Sequence, residues 1–350
     1  MDNLQTLFLL GRPFGPLYGL VMRLRAACYA KDILRRHRLP VPVISVGNLV
    51  LGGSGKTPMV RYLADFLQEL GHRPAIISRG YGGTVSGDVN IVSDGHTVLL
   101  SPQQGGDEPC MLAHALPGVP VLVGRRRIHP CLRAINDFHA DVLILDDGFQ
   151  HLAVHRHLNL ALFDGTTLAG DGRVFPAGIL REPLIALHRA DAVVFTGITD
   201  KNQQKATDFG EFLRTIVPEV PCFPVAQPTP RLRMTGSQPT LSSSCFAFCG
   251  IANPTRFHDT ILSMGITPNG FLALPDHVRY DSEMLADICR RASSCEATQL
   301  LTTSKDAVKL QQLSPPLPVA VVEIALQPNQ LFDLFLRKHL NHIFDAATTP

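Results

Sequence analysis

A strand-like run, Val43–Val46, leads directly into Gly47-Asn48-Leu49-Val50-Leu51-Gly52-Gly53-Ser54-Gly55-Lys56-Thr57-Pro58, and this junction constrains the fold more than any other feature of the chain. Glycines in such a turn let backbone N–H groups wrap phosphate oxygens, and a helix opening behind them adds positive potential. Lys56 is placed to reach the β- and γ-phosphates of a nucleotide and the Thr57 hydroxyl to bind Mg²⁺, while Pro58 suits a first helical turn. The usual pattern has a glycine five residues before Gly55; here Val50 stands there, and the early glycines are Gly52 and Gly53. A glycine turn that merely caps a helix is the plain alternative. The order strand, GGSGKT, helix favours a nucleotide loop over Val50–Thr57.

Short apolar runs recur at the spacing of βα units: Val43–Val46, Ala75–Ser78, Val119–Val123, Val142–Asp146, Leu160–Asp164 and Ala192–Thr196. Helix-like stretches fall between several of them, at Pro58–Leu70, Glu108–Ala115, Ile128–His139 and Leu184–His188. The pattern predicts an α/β fold, a P-loop NTPase-like parallel sheet flanked by helices, over residues 39–217. Residues 218–244 hold six prolines and a serine run, as in a crossing between domains. A second, smaller α/β domain is expected over 245–350. Its strands are read at Cys245–Cys249, Gln299–Thr303 and Val319–Ile324, and its helices near Pro254–Met264, Ser282–Ala292 and Lys305–Leu313. A chain of 350 residues has length enough for both cores, and with 45% hydrophobic and 18% charged residues it is not a disordered one.

Residues 1–38 carry seven basic side chains against two acidic ones, although the whole chain has a net charge of only +2. Leu17, Leu20, Val21, Leu24 and Cys28 recur at helical spacing among Arg23, Arg25 and Lys31, as in an amphipathic helix lying on an anionic interface; a capping helix on a soluble domain has the same pattern. Arg12, Pro13 and Pro16 break the apolar stretch well short of a membrane span, which needs about 18–20 residues. The charge follows the apolar run rather than preceding it, against a signal peptide. Eight cysteines show no CxxC spacing, so neither a zinc site nor a disulfide framework is implied. The near-neutral body and the absence of Trp disfavour nucleic acid, and nothing calls for an obligate protein partner.

Asp146 and Asp147 end an apolar strand, where a phosphate-loop enzyme places acids near Mg²⁺. Three polar loops fall near the ends of strands or open helices: Ser78–Gly83, Gly106–Pro109 and Gly124–Arg127. Arg127 is suited to stabilise charge on a transferring phosphoryl group, and Asp107 to accept a proton from an attacking hydroxyl. Arg125 and Arg126 read as solvated surface charges.

Taken in order, GNLVLGGSGKTP, SRGYGG, GDEP, the Arg127 segment, LDDGFQH, PAGILREP, PDHVRY and TTSKDAVK resemble the tetraacyldisaccharide 4′-kinases, over nearly the whole chain. In that family the loop reads GGxGKTP, which accounts for Val50; TTSKDA departs from the family's TTEKDA at Ser304. The resemblance implies phosphate transfer from ATP, with Mg²⁺, to the 4′-hydroxyl of a tetraacylated glucosamine disaccharide 1-phosphate. It also implies a peripheral place on the cytosolic face of the Gram-negative inner membrane, which the basic amphipathic start suits. By the same resemblance, Asp107 is the catalytic aspartate, His277 its partner, and Arg127 and Arg181 the arginines near the phosphates. Asp146 and Asp147 are the acidic pair near Mg²⁺, with Glu108 a further metal candidate and Tyr81 a nucleotide-positioning one. With His277 in the second domain and Lys56 in the first, the reacting groups are expected to meet on domain closure about the proline-rich crossing.

Two other readings predict different behaviour. A soluble P-loop small-molecule kinase would keep its activity after loss of the N-terminal helix. A nucleotide-dependent regulatory switch would hydrolyse slowly in response to a protein partner; no NKxD tetrapeptide marks guanine specificity.

Overall fold

The computed structural model describes residues 3–226, 229–235, 242–311 and 313–348. The first sheet comprises β1 (Val43–Asn48), β2 (Pro74–Ser78), β3 (Asn90–Ser93), β4 (Val121–Val123), β5 (Val142–Asp146), β6 (Leu158–Asp164), β7 (Ala192–Ile198) and β8 (Cys222–Ala226). Its spatial order is β3-β4-β2-β5-β1-β6-β7-β8, parallel except for β3. β1, β2, β5 and β6 are buried along their whole length, which is why they read as continuous apolar runs rather than alternating ones. The chain leaves β1 first toward β2 and later returns on its other side as β6, so the strand order reverses at β1. Ligands of open parallel sheets collect at such a point.

Helices α3 (Lys56–Glu69) and α5 (Asp107–Ala115) cover one face of this sheet, with the short α4 (Pro102–Gly105) just before α5. On the other face lie α6 (Ile128–Phe138) and α7 (Gln203–Ile216). Ahead of the sheet come α1 (Asn3–Gly11) and α2 (Gly15–Ala30), two helices where the sequence suggests one. They dock on Val174–Pro183 through glycines. A Cβ on Gly11 would fall 2.2 Å from the Pro176 carbonyl oxygen, and one on Gly15 2.8 Å from the Ala177 methyl. Leu10, Leu17, Leu20 and Leu24 on these helices, and Phe14 between them, are left exposed.

The second sheet comprises β9 (Thr229–Thr235), β10 (Cys245–Cys249), β11 (Gly270–Ala273), β12 (Gln299–Thr303) and β13 (Val319–Ala325), in the order β11-β10-β12-β13-β9. Helices α8 (Pro254–Ser263), α9 (Ser282–Ser294) and α10 (Ser304–Leu310) connect its parallel strands, and β9 runs antiparallel on the edge.

Two parts of the expected domain plan differ. The proline-rich stretch 218–244 is not a bare crossing: it supplies β8 to one sheet and β9 to the other. Pro224 and Pro230 fit because both strands are edges, where a missing N–H breaks no ladder. Pro228 and Pro239 lie outside the described residues. The C-terminal portion of 245–350 also leaves the second body. Helix α11 (Gln330–Thr348) returns to the first, burying Phe332, Leu336, Leu340 and Ile343 in the cluster that holds Val46, Val60 and Leu63. The Tyr62 hydroxyl donates to Asp333, Arg337 lies over the Phe66 ring, and His72 stacks on Phe344.

Candidate active site

Gly55 stands at φ +73°, immediately before α3, and a Cβ there would press on Thr196 Oγ1 at 3.0 Å. Both facts demand glycine. Thr196, buried on β7, donates its hydroxyl to the Ser54 carbonyl at 3.1 Å, so the neighbouring strand holds the loop from below. Val50 belongs to the core: its side chain packs with Phe149, Phe163 and Leu180, and its backbone bridges Leu180. Leu51 N–H donates to the Ile179 carbonyl at 2.8 Å, and Arg181 N–H to the Leu49 carbonyl at 2.6 Å. The loop's early half is thus an apolar pairing with PAGILREP, which needs a Val50 side chain and brings Arg181 to the site.

Five of the expected residues converge on the end of β5. Asp147, at φ +50°, receives Lys56 Nζ at 3.4 Å and Arg181 Nη1 at 2.9 Å. Arg127 is buried and donates to the Asp147 backbone carbonyl at 3.0 Å, so here it shapes the acidic turn. Burial pushes Asp147 up, but Lys56 and Arg181 outweigh it and hold the carboxyl below its ordinary value. Asp146 differs. Burial, with the charges of Glu108 and Asp147, raises its carboxyl to about 6. Ser78 Oγ donates to Asp146 Oδ2 at 3.0 Å, while the buried Oδ1 has no hydrogen-bond partner. A buried carboxylate oxygen without a donor is costly unless a cation or water meets it, and the buried, unpartnered Ser54 hydroxyl is a second such group in the loop. These residues fit Mg²⁺, although no set of three acidic, His or Cys side chains forms a ready cage among the described residues. Tyr81, 79% exposed, and the exposed Glu108 border the site without joining this cluster.

The second cluster joins the two bodies. Asp107 opens α5, and its Oδ2 lies 3.0 Å from Nδ1 of His277, which follows β11. The two are in contact across the bodies in this structure. Lys305 Nζ sits 2.8 Å from Asp276 Oδ1 and 3.3 Å from His277 Nε2. Burial pushes Asp276 up, but the Lys305 hydrogen bond and charge prevail and lower it. Nearby, Arg256 of α8 pairs with Asp164 at the end of β6 at 2.7 Å, a second tie across the bodies. Thr196 and Arg256 lie in no motif, and Lys305, though within TTSKDAVK, has no role assigned from sequence; each acts on a residue more than 25 positions away.

The family model described as tetraacyldisaccharide-1-P 4′-kinase matches residues 7–341. The chain belongs to this family. A tetraacyldisaccharide 4′-kinase of Desulfotalea psychrophila is 45% identical over 323 residues, covering 91% of this chain and 92% of that one. One from Syntrophus aciditrophicus is 41% identical over 335 residues, covering 91% and 90%. The crystal structure of LpxK from Aquifex aeolicus in complex with ATP is similar with a TM-score of 0.73 at 32% identity, covering 95% of this chain and 98% of that one. The family is one of kinases, and its reaction is ATP-dependent 4′-phosphorylation in lipid A biosynthesis.

Proposed function

We propose that Asp107 is the general base of this 4′-kinase reaction and that His277 holds it. The supporting observation is the 3.0 Å contact between the two across the body interface. The acceptor, a tetraacylated glucosamine disaccharide 1-phosphate, presents its 4′-hydroxyl to Asp107. As the oxygen attacks the γ-phosphorus of ATP, its proton passes to the carboxylate and the bond to the β-phosphate oxygen breaks, releasing ADP. Such a transfer needs little covalent help, so positioning and cations carry most of the catalysis. Lys56, freed from Asp147 by the arriving phosphates, takes over their negative charge, and Arg181 holds the displaced carboxylate in place. Asp146, Asp147 and Thr57 would hold Mg²⁺, with Glu108 beside them; when bound, the ion supplies charge neutralisation on the phosphates. Tyr81, with its ring exposed, would be free to stack on the nucleotide.

We further assign the exposed apolar face of α1 and α2 to a membrane surface. Leu10, Phe14, Leu17 and Leu24 would enter the lipid, while Arg12 and Arg23 meet anionic headgroups. Among the described residues no helix is long and apolar enough to cross a membrane; we assign the chain a peripheral place on the cytosolic face of the inner membrane, where the acylated acceptor of the family's reaction lies.

Transfer of labelled γ-phosphate from ATP to the acylated disaccharide 1-phosphate in mixed micelles tests the reading. Lys56→Ala and Asp107→Ala should both cut labelled lipid to a small residual rate while leaving the protein folded. Full activity in Asp107→Ala would remove the base. Deleting residues 1–30 should lower transfer to lipid in vesicles and leave ATP binding intact; unchanged vesicle binding by the truncated chain would remove the membrane assignment.

A further inference from the structure

Asp107 is met by a second side chain from the opposite body, one to which the proposed reaction assigns no role. Lys309, near the end of α10, places Nζ 3.1 Å from Asp107 Oδ2, the same oxygen that His277 Nδ1 approaches at 3.0 Å. The lysine side chain is only 3% exposed. Its ammonium donates to the Val278 carbonyl at 3.2 Å and lies 3.9 Å from Asp306 Oδ1. Asp306 is itself fully buried and occupied by the Tyr280 hydroxyl, the Thr303 hydroxyl and the Gly250 N–H. Burying an ammonium ion is expensive, and a solvated lysine would neutralise a helix-opening aspartate at far less cost. The buried position therefore calls for a reason beyond charge balance.

Geometry supplies one. Both partners load Oδ2, and among the described residues no donor meets Oδ1. One turn earlier on the same helix face, Lys305 reaches His277 Nε2 at 3.3 Å. Where the ammonium donates to Nε2, the ring proton falls on Nδ1 and is donated to Asp107; Nε2 also lies 3.8 Å from Asp276 Oδ2. Lys305 and Lys309 thus grip the Asp107–His277 pair from both ends.

We propose that Lys309 is a positioning residue for the phosphoryl transfer: with His277 it pins Oδ2, fixing the Asp107 carboxylate so that Oδ1 faces the acceptor hydroxyl. This rests on the reading of Asp107 as the base. Displacing a reacting group by about 1 Å costs on the order of 100-fold in rate, so losing one of two pins should be visible in turnover.

The experiment compares Lys309→Met and Lys309→Arg in the wild-type and Asp107→Asn backgrounds, reading kcat and the KM for ATP and for the acylated disaccharide, with thermal melting of each variant. Lys309→Met should lower kcat by about 10- to 100-fold at unchanged KM for ATP, and Lys309→Arg should recover part of the loss. In the Asp107→Asn background Lys309→Met should add nothing to the residual rate, because the carboxylate it orients is gone. An equal loss in both backgrounds, or no loss in the first, overturns the inference. Asp107→Asn at the wild-type rate would instead overturn the base assignment, an outcome distinguishable from either. If Lys309→Met does not fold, Lys309→Gln, which keeps a donor for the Val278 carbonyl without the charge, carries the same comparison.

Discussion

The two bodies build their share of the site in opposite ways. In the first, the loop between β1 and α3 relies on backbone: Gly55 at positive φ, N–H groups at a helix start, and a carbonyl held by Thr196. In the second, Asp276, His277, Lys305 and Lys309 offer side chains gathered from the turn after β11 and from α10. Their target is a residue of the other body. A backbone site tolerates little change in sequence spacing, whereas a side-chain site depends on how two bodies are docked.

The largest test of this contrast sets Lys56→Ala against His277→Ala. Loss of Lys56 should reduce kcat about 1000-fold or more, since it removes a cation aimed at transferring charge; loss of His277 should cost about 100-fold, since Asp107 remains. Equal losses in the phosphate-transfer assay would erase the distinction. Next, Leu336→Ala probes whether α11 serves the first body. This fully buried side chain should cost about 2–5 kcal/mol in denaturant unfolding, with nucleotide binding lost in the same transition. A smaller effect is expected for Thr196→Val, which keeps shape but removes the donor to the Ser54 carbonyl. The KM for ATP should rise about 10-fold, the KM for the lipid should stay, and Thr196→Ser should restore the wild-type value.

The smallest effect concerns the tie between the bodies. Glu323 of β13 accepts from Arg61 of α3 at 3.0 Å and from Arg233 of β9, with Asp65 beside Arg61 and His114 near Arg233. Burial pushes the Glu323 carboxyl up, but the two arginines prevail and hold it below the ordinary glutamate value. A depressed carboxylate stabilises the fold above its unfolded pKa and loses that contribution as pH falls through the folded value. Glu323→Gln should therefore be less stable than wild type by about 1 kcal/mol at pH 7. The gap should close in acid, below the usual glutamate range.

This asymmetry also explains what could be read from the residues. The glycine turn between β1 and α3, the acidic turn at Asp146 and Asp147, and most strands of the first sheet were legible, because buried parallel strands are apolar throughout and a tight strand-to-helix turn needs glycine where φ is positive. The edge strands β8 and β9 were hidden by Pro224 and Pro230, residues that only an edge admits. Helix α11 has an apolar stripe, but nothing local says which of two cores receives it. The resemblance already accounted for Val50 in the loop, but its packing against Phe149 and Leu180 is visible only in the fold. Lys309 lies in a motif already noted, yet its burial against Asp107 is a tertiary fact with no local signature.

Because α11 returns to the first body, the peptide chain passes between the bodies twice, once from β8 to β9 and once from β13 to α11. The two passages are stitched together: Asn329 Nδ2 donates to the Pro224 carbonyl at 3.0 Å, and the Thr229 hydroxyl to Gln327 Oε1 at 3.1 Å. The two hydrogen bonds tie the passages side by side, so a displacement of one body is carried by both. The grip on the Asp107 carboxylate from across the gap therefore depends on both passages, not on α10 alone.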